Sequence, residues 1–264
     1  MRASPSLTYA LGRSLYVPLT SRTNSVSLPK TRGPSFSLPP DVLTSLEEVR
    51  RLELLGDAGE GGLQPSVDRL VGEIRCRLGL FSAGIGDGPS SPSSPPSPPP
   101  PYDALVFAGE GEPTLRLPTL LSVVGRIVSS PYSSTSVVPK IVRVVTNGLV
   151  RSLPGNSDGD EGGGACCLKR MREAGVTDLS VALMTSCAEQ YDLLMRPHLP
   201  EEDEALPPLV AHGAVCSFVA DAVAAGLAVE VTAVGSQGVN RNGLEDLARE
   251  LGVREAVRWR PYFP

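Results

Sequence analysis

The sequence is poor in the side chains that most often do chemistry. It has 5 cysteines and 2 histidines among 264 residues. The cysteines are Cys76, Cys166, Cys167, Cys187 and Cys216, and no two stand at C-x-x-C spacing. An odd number of scattered thiols with no secretory signal predicts reduced cysteines in an intracellular, cytoplasmic protein. The neighbours Cys166 and Cys167 cannot build a zinc site without partners from elsewhere. His198 and His212 lack metal-ligand spacing, so no metal site is expected. No Ser/His/Asp arrangement stands out, and neither the Rossmann nor the P-loop glycine fingerprint follows a strand.

Charge of one sign is also scarce. Lys and Arg number 24 against 29 Asp and Glu, a net charge of −5. Phosphate-backbone binding needs a dense basic patch, so a nucleic-acid partner is not expected. Nor is there a run of the ~18 apolar residues that a membrane helix requires. The first 40 residues lack Asp and Glu but carry Arg2, Arg13, Arg22, Lys30 and Arg32. That composition resembles an organelle transit peptide. Strand-like sequence begins almost at once, so a removable presequence would have to end within the first few residues.

What is abundant is apolar residues, glycine and proline. The apolar share is 41%, enough for a core, and 27 Gly and 26 Pro exceed ordinary usage. Residues 84–101 read GIGDGPSSPSSPPSPPPP. Such a run buries no apolar surface and favours polyproline II, as a surface insertion or as the ligand of an SH3- or WW-type protein partner. Residues 154–164, rich in Gly and Asp, form a second insertion in a core running over residues 7–264.

The core alternates two periodicities. Strands are predicted at Ser14–Leu19, Ala104–Ala108, Ile141–Thr146, Leu179–Leu183, Leu227–Val234 and Val257–Pro261. A polar loop, Thr20–Pro34, follows the first. Val42, Leu46, Val49 and Leu52 share one helical face, broken at residues 56–62. Ser66 is positioned to cap a second helix with Val67, Leu70, Val71, Ile74 and Leu78 inward. Further helices are expected over Leu117–Val128, Cys166–Ala174, Leu209–Ala225 (closed by Gly226) and Gly243–Leu251, the last with Asn242 as cap. Strands alternating with helices imply parallel βαβ units. A doubly wound sheet and a partial barrel both fit, and either places ligands at the carboxyl ends of the strands.

The candidate site residues follow from that placement. After the second strand come Gly109, Glu110, Gly111, Glu112, Pro113 and Thr114. The glycines permit a close backbone approach, and the Glu112 carboxylate can accept from an ammonium group or sit at a helix start. Thr146-Asn147-Gly148 after the third strand is a turn signal with a ligand-capable amide. Ser186 with Glu189 can form a capping box. Lys30 and Arg32 alternate with small residues and are candidates for holding an anion at the mouth, or for a solvated loop.

Several segments together resemble the radical S-adenosylmethionine superfamily, and within it the subgroup associated with TatD-type hydrolases. They are Leu7–Val17, the Gly-x-Gly-Glu-Pro stretch at Gly109–Pro113, Val142–Leu149 with its Thr-Asn-Gly turn, Tyr191 through Pro197, and Val229–Thr232. The resemblance implies a partial (β/α)6 TIM-like barrel, with S-adenosylmethionine held through Gly109, Gly111, Glu112, Pro113, Thr146 and Asn147. It also implies a [4Fe–4S] cluster in a C-x-x-x-C-x-x-C loop after the first strand. Here that loop holds no cysteine, and none occurs before Cys76. Ser and Pro are poor replacements for soft thiolate ligands. The family's S-x-S-L-N strand end is Ser180-Val181-Ala182-Leu183-Met184, without the later polar positions that help hold the ribose. The expectation is a degenerate, cluster-free member with small-ligand binding at the barrel mouth. The alternatives are an active enzyme with a cluster ligated through Cys166, Cys167 or Cys187, and a non-catalytic interaction scaffold.

Overall fold

The computed structural model describes residues 5–56, 64–80, 102–129, 138–150, 163–197, 208–236 and 238–264. The insertion at 84–101, nearly all of that at 154–164, and His198 lie outside them.

The elements, in chain order, are β1 (Tyr9–Leu11), β2 (Ser14–Tyr16), α1 (Leu28–Thr31), α2 (Pro40–Gly56), α3 (Val67–Leu78) and β3 (Ala104–Phe107). A 3-10 turn (Pro113–Arg116), α4 (Leu117–Val128), β4 (Ile141–Thr146), α5 (Gly163–Ala174) and β5 (Asp178–Val181) follow. The chain continues with α6 (Ala188–Met195), α7 (Pro208–Ala224), β6 (Ala228–Val234), α8 (Arg241–Glu250) and β7 (Arg258–Arg260). All seven strands form one sheet whose spatial order is the chain order. β1 is antiparallel to β2, and every later pairing is parallel.

That order decides between the two architectures. A doubly wound sheet reverses direction at a switch point. Here every crossover steps the same way. Right-handed crossovers then lay the helices on one face, and the twisted sheet curls as an open, partial (β/α) barrel.

The helix-facing side of the sheet is apolar throughout. Leu15, Leu105, Phe107, Val142, Val144, Leu179, Val181 and Val231 meet Ile74, Leu120, Val124, Leu168, Met171, Phe218 and Leu244 in one buried cluster. Full burial of such a side chain contributes about 1.5–3 kcal/mol. The alternate residues face the concave side, where Ala104, Val106 and Ala108 pack with Tyr16, Ile141 and Val145.

The local signals held at several ends. Ser66 Oγ accepts from Arg69 N, and Gly226 closes α7 at φ +76°. Elsewhere the structure differs. The first predicted strand, Ser14–Leu19, is the shorter β2, and it forms a hairpin with the unforeseen β1, the chain turning between them at Gly12 with φ +57°. Three-residue β1 is too short to show a period. The polar loop contains α1. Asn240, not Asn242, caps α8 by accepting from Gly243 N. Ser186 forms no capping box: Cys187 is the N-cap, and its N–H donates to Thr185 Oγ1. Among the described residues no helix is long and apolar enough to cross a membrane.

Candidate functional site

The mouth of the half-barrel lies at the carboxyl ends of β2, β3 and β4. Glu112 N-caps the 3-10 turn and is buried. Its Oε1 accepts from Thr114 N (3.1 Å), Thr114 Oγ1 (2.7 Å) and Thr146 Oγ1 (2.8 Å), and its Oε2 accepts from Asn147 N (2.8 Å). Burial pushes the carboxyl above the usual glutamate range, and the four donors pull against that shift. The carboxylate therefore joins the ends of β3 and β4. Of the two roles open in the sequence, the helix-start one describes the bonds it makes.

The Thr-Asn-Gly turn is just as fully engaged. Thr146 Oγ1 accepts from Gly148 N, and Asn147 Oδ1 from Leu149 N. The Asn147 side-chain amide donates to Asn24 Oδ1 (2.6 Å) and Ser25 Oγ (2.9 Å). Asn24 in turn donates to Leu149 O at 3.3 Å.

Asn24 and Ser25 belong to the loop after β2, which folds into the mouth. Thr20, Asn24, Ser25 and Ser27 are all buried. Glu53 of α2 anchors the entry to the loop, accepting from Thr20 Oγ1, Ser21 N and Ser21 Oγ. Val26 N bonds Met195 O on the other side, at 2.6 Å. The glycines serve this closure. A Cβ on Gly111 would stand 2.4 Å from Thr20 O and 2.5 Å from Arg22 O. One on Gly109 would stand 2.7 Å from Pro18 Cβ. The backbone that approaches them is the chain's own. What remains between this loop and Gly109–Asn147 is a space of about 20 Å³, room for roughly one water.

Lys30 and Arg32 do not meet at the mouth. The Arg32 guanidinium lies 4.0 Å from the Phe36 ring centre and 5.1 Å from that of Phe263. Arg32 O accepts from Phe263 N at 2.7 Å. A flat, weakly hydrated guanidinium stacks well on aromatic faces, and here it fastens residues 261–264 to the loop. Lys30 is exposed on the wall of a separate, shallow groove with Phe36, Leu43 and Tyr262.

Glu53, like Asn24 and Ser25, is a participant that the sequence did not single out. It stands seven residues after Leu46 and four after Val49, on the apolar stripe of α2. A charge on such a stripe was the available signal. Two hydroxyls near the closed region, Ser27 Oγ and Tyr191 OH, are buried without a hydrogen-bond partner. His212 packs against Tyr191 and faces Thr185 O at 3.0 Å.

A [4Fe–4S] cluster does not fit these residues. The loop offers hydroxyl and amide oxygens already bonded to one another, where three thiolates are needed. The remaining cysteines do not supply them. Cys167 is buried in α5, where desolvation pushes its thiol up to about 12, while its neighbour Cys166 is exposed. Cys187 is exposed and faces Glu189 Oε2 at 3.2 Å. Among the described residues no three of His, Cys, Asp and Glu are grouped to hold a metal ion. S-adenosylmethionine is far larger than the space left in the mouth. Just past the end of β5, Ala182, Leu183 and Met184 are buried. Met184 adopts φ +65°, a left-handed backbone that Asn takes more readily.

No family's sequence model matches the chain, and no curated protein matches it. Twenty-four chains of solved structures do. One is the radical S-adenosylmethionine methyltransferase TsrM from Kitasatospora setae, solved with cobalamin and a [4Fe–4S] cluster bound. It is 10% identical over 90% of this chain, with a TM-score of 0.41. This chain spans 43% of that structure's length.

Proposed function

We propose that this protein is a degenerate barrel of the radical S-adenosylmethionine type, acting as a binding module and not as a radical enzyme. One observation carries the reading: the loop that would present cluster-binding cysteines is cysteine-free and packs into the mouth through Asn24 and Ser25. Its placement in the TatD-associated subgroup rests on the sequence motifs alone. Residual S-adenosylmethionine binding through Gly109, Glu112 and Asn147 requires residues 20–27 to leave the mouth. It would forfeit their bonds to Glu53 and Asn147, which makes binding weak. A protein partner for the proline-rich run at 84–101 is a further part of this proposal.

Anaerobic reconstitution with iron and sulfide tests it. Iron content and visible absorbance are read while S-adenosylmethionine is titrated calorimetrically. The expected result is no stoichiometric iron and, at most, weak binding. A stable cluster that alters S-adenosylmethionine affinity overturns the reading and directs attention to Cys166, Cys167 and Cys187.

A further inference from the structure

The mouth is filled, but the opposite end of the half-barrel is open. A cavity of about 680 Å³ lies at the amino-terminal ends of β5 and β6. Small-molecule sites usually measure about 300–1,000 Å³. Arg143, Asp178 and Glu230 line it, together with the turns at 226–228 and 252–256.

These charges occupy inward positions of neighbouring strands. Barrel interiors ordinarily carry branched apolar residues there, and β3 keeps to that rule with Ala104 and Val106. In β4 to β7 the rule is broken. Arg143 pairs in register with Asp178, and Ser180 with Glu230. Arg143 Nη2 donates to Asp178 Oδ1 at 3.2 Å. Ser180 Oγ donates to Glu230 Oε1 at 2.9 Å, and Arg258 Nη1 reaches the same oxygen at 3.4 Å.

The bonding leaves capacity of both signs. Arg143 bonds Asp178 through Nη2 alone, while its Nε is shielded from the cavity. Both bonds to Glu230 fall on Oε1. The Arg143 and Glu230 side chains are only 26% and 23% exposed, so they are largely removed from water while bordering a cavity. At the rim, exposed Arg254 and Glu255 add one more charge of each sign.

We propose that this cavity binds a small zwitterion, with its carboxylate toward Arg143 and Arg254 and its ammonium toward Glu230 and Glu255. A lone anion would meet three carboxylates there, and a lone cation two guanidinium groups. A ligand carrying both signs meets neither penalty. The proposal does not rest on the reading of the mouth.

Calorimetric titration of the 264-residue chain with each of the common α-amino acids, with acetate and methylammonium as single-charge controls, tests it. Saturable binding of at least one amino acid, and of neither control, is expected. Arg254→Ala and Glu255→Gln change exposed positions that the fold does not need. Each should weaken binding roughly fivefold. Glu230→Gln, which keeps an acceptor for Ser180, should abolish it. If that variant melts early, the two rim variants decide. Absence of saturable binding by every amino acid overturns the proposal. So does binding that the rim variants leave unchanged, or a single-charge control that binds as tightly as the amino acid.

Discussion

The Asn147 side-chain amide donates to Asn24 Oδ1 at 2.6 Å, joining two buried residues that lie 123 positions apart in the chain. This pair, with Ser25 beside it, seats the loop after β2 against the end of β4. Removing either partner leaves a buried amide unsatisfied, at a cost of about 1–3 kcal/mol. Asn24→Ala and Asn147→Ala should each destabilise by that order, and the double variant by less than their sum. Denaturant unfolding of all four proteins measures the coupling. Additive effects would show that the pair does not act as a unit.

Glu112 makes stability depend on pH in an unusual direction. Burial raises its folded-state carboxyl above the usual range, so the folded chain holds that proton more tightly than the unfolded one. The favourable contribution is complete below the ordinary glutamate pKa and is lost as pH rises through the raised value. Glu112→Gln should flatten that dependence. It should also destabilise by about 1–3 kcal/mol near neutrality, because an amide NH2 in place of Oε2 would face the Asn147 N–H. Unfolding free energy measured across the acid range for both proteins tests each part. An unchanged pH profile in the variant would remove Glu112 as its source.

Two glycines with opposite surroundings separate packing from propensity. Gly111→Ala drives a Cβ into two backbone carbonyl oxygens of the loop, at 2.4 and 2.5 Å. Overpacking of this kind costs about 1–3 kcal/mol, and backbone atoms yield less easily than side chains. Gly125 sits inside α4 with nothing within 4 Å of an added Cβ. Gly125→Ala should therefore stabilise by about 0.5–1 kcal/mol. Melting temperatures should move in opposite directions. A neutral Gly111→Ala would mean that the loop does not rest against Gly111.

Much of the scaffold was legible in the sequence because it follows from local rules. Apolar runs of four to seven residues marked β3 to β6. The stripes of α2 and α3 and the αL glycine after α7 followed from helical geometry and steric rules that act within a few residues. The carboxyl-end logic led to Glu112, Thr146 and Asn147, and those residues do gather at the mouth. Their partners were not legible. Asn24 and Asn147 are separated by more than a hundred residues, and no periodicity links them.

What the sequence determined by itself was the alternation of strand and helix, the strand ends where polar residues collect, and the absence of cysteines in the first long loop. Only the tertiary structure decided that the sheet curls without reversing. It also decided that Gly109 and Gly111 admit the chain's own loop, that Arg32 lies over the adjoining rings of Phe36 and Phe263, and that charges from four strands share one concave face. The physical reason is reach. Propensity, capping and periodicity act within a few residues, whereas these outcomes depend on which distant groups come within hydrogen-bonding or van der Waals distance once the chain has closed on itself.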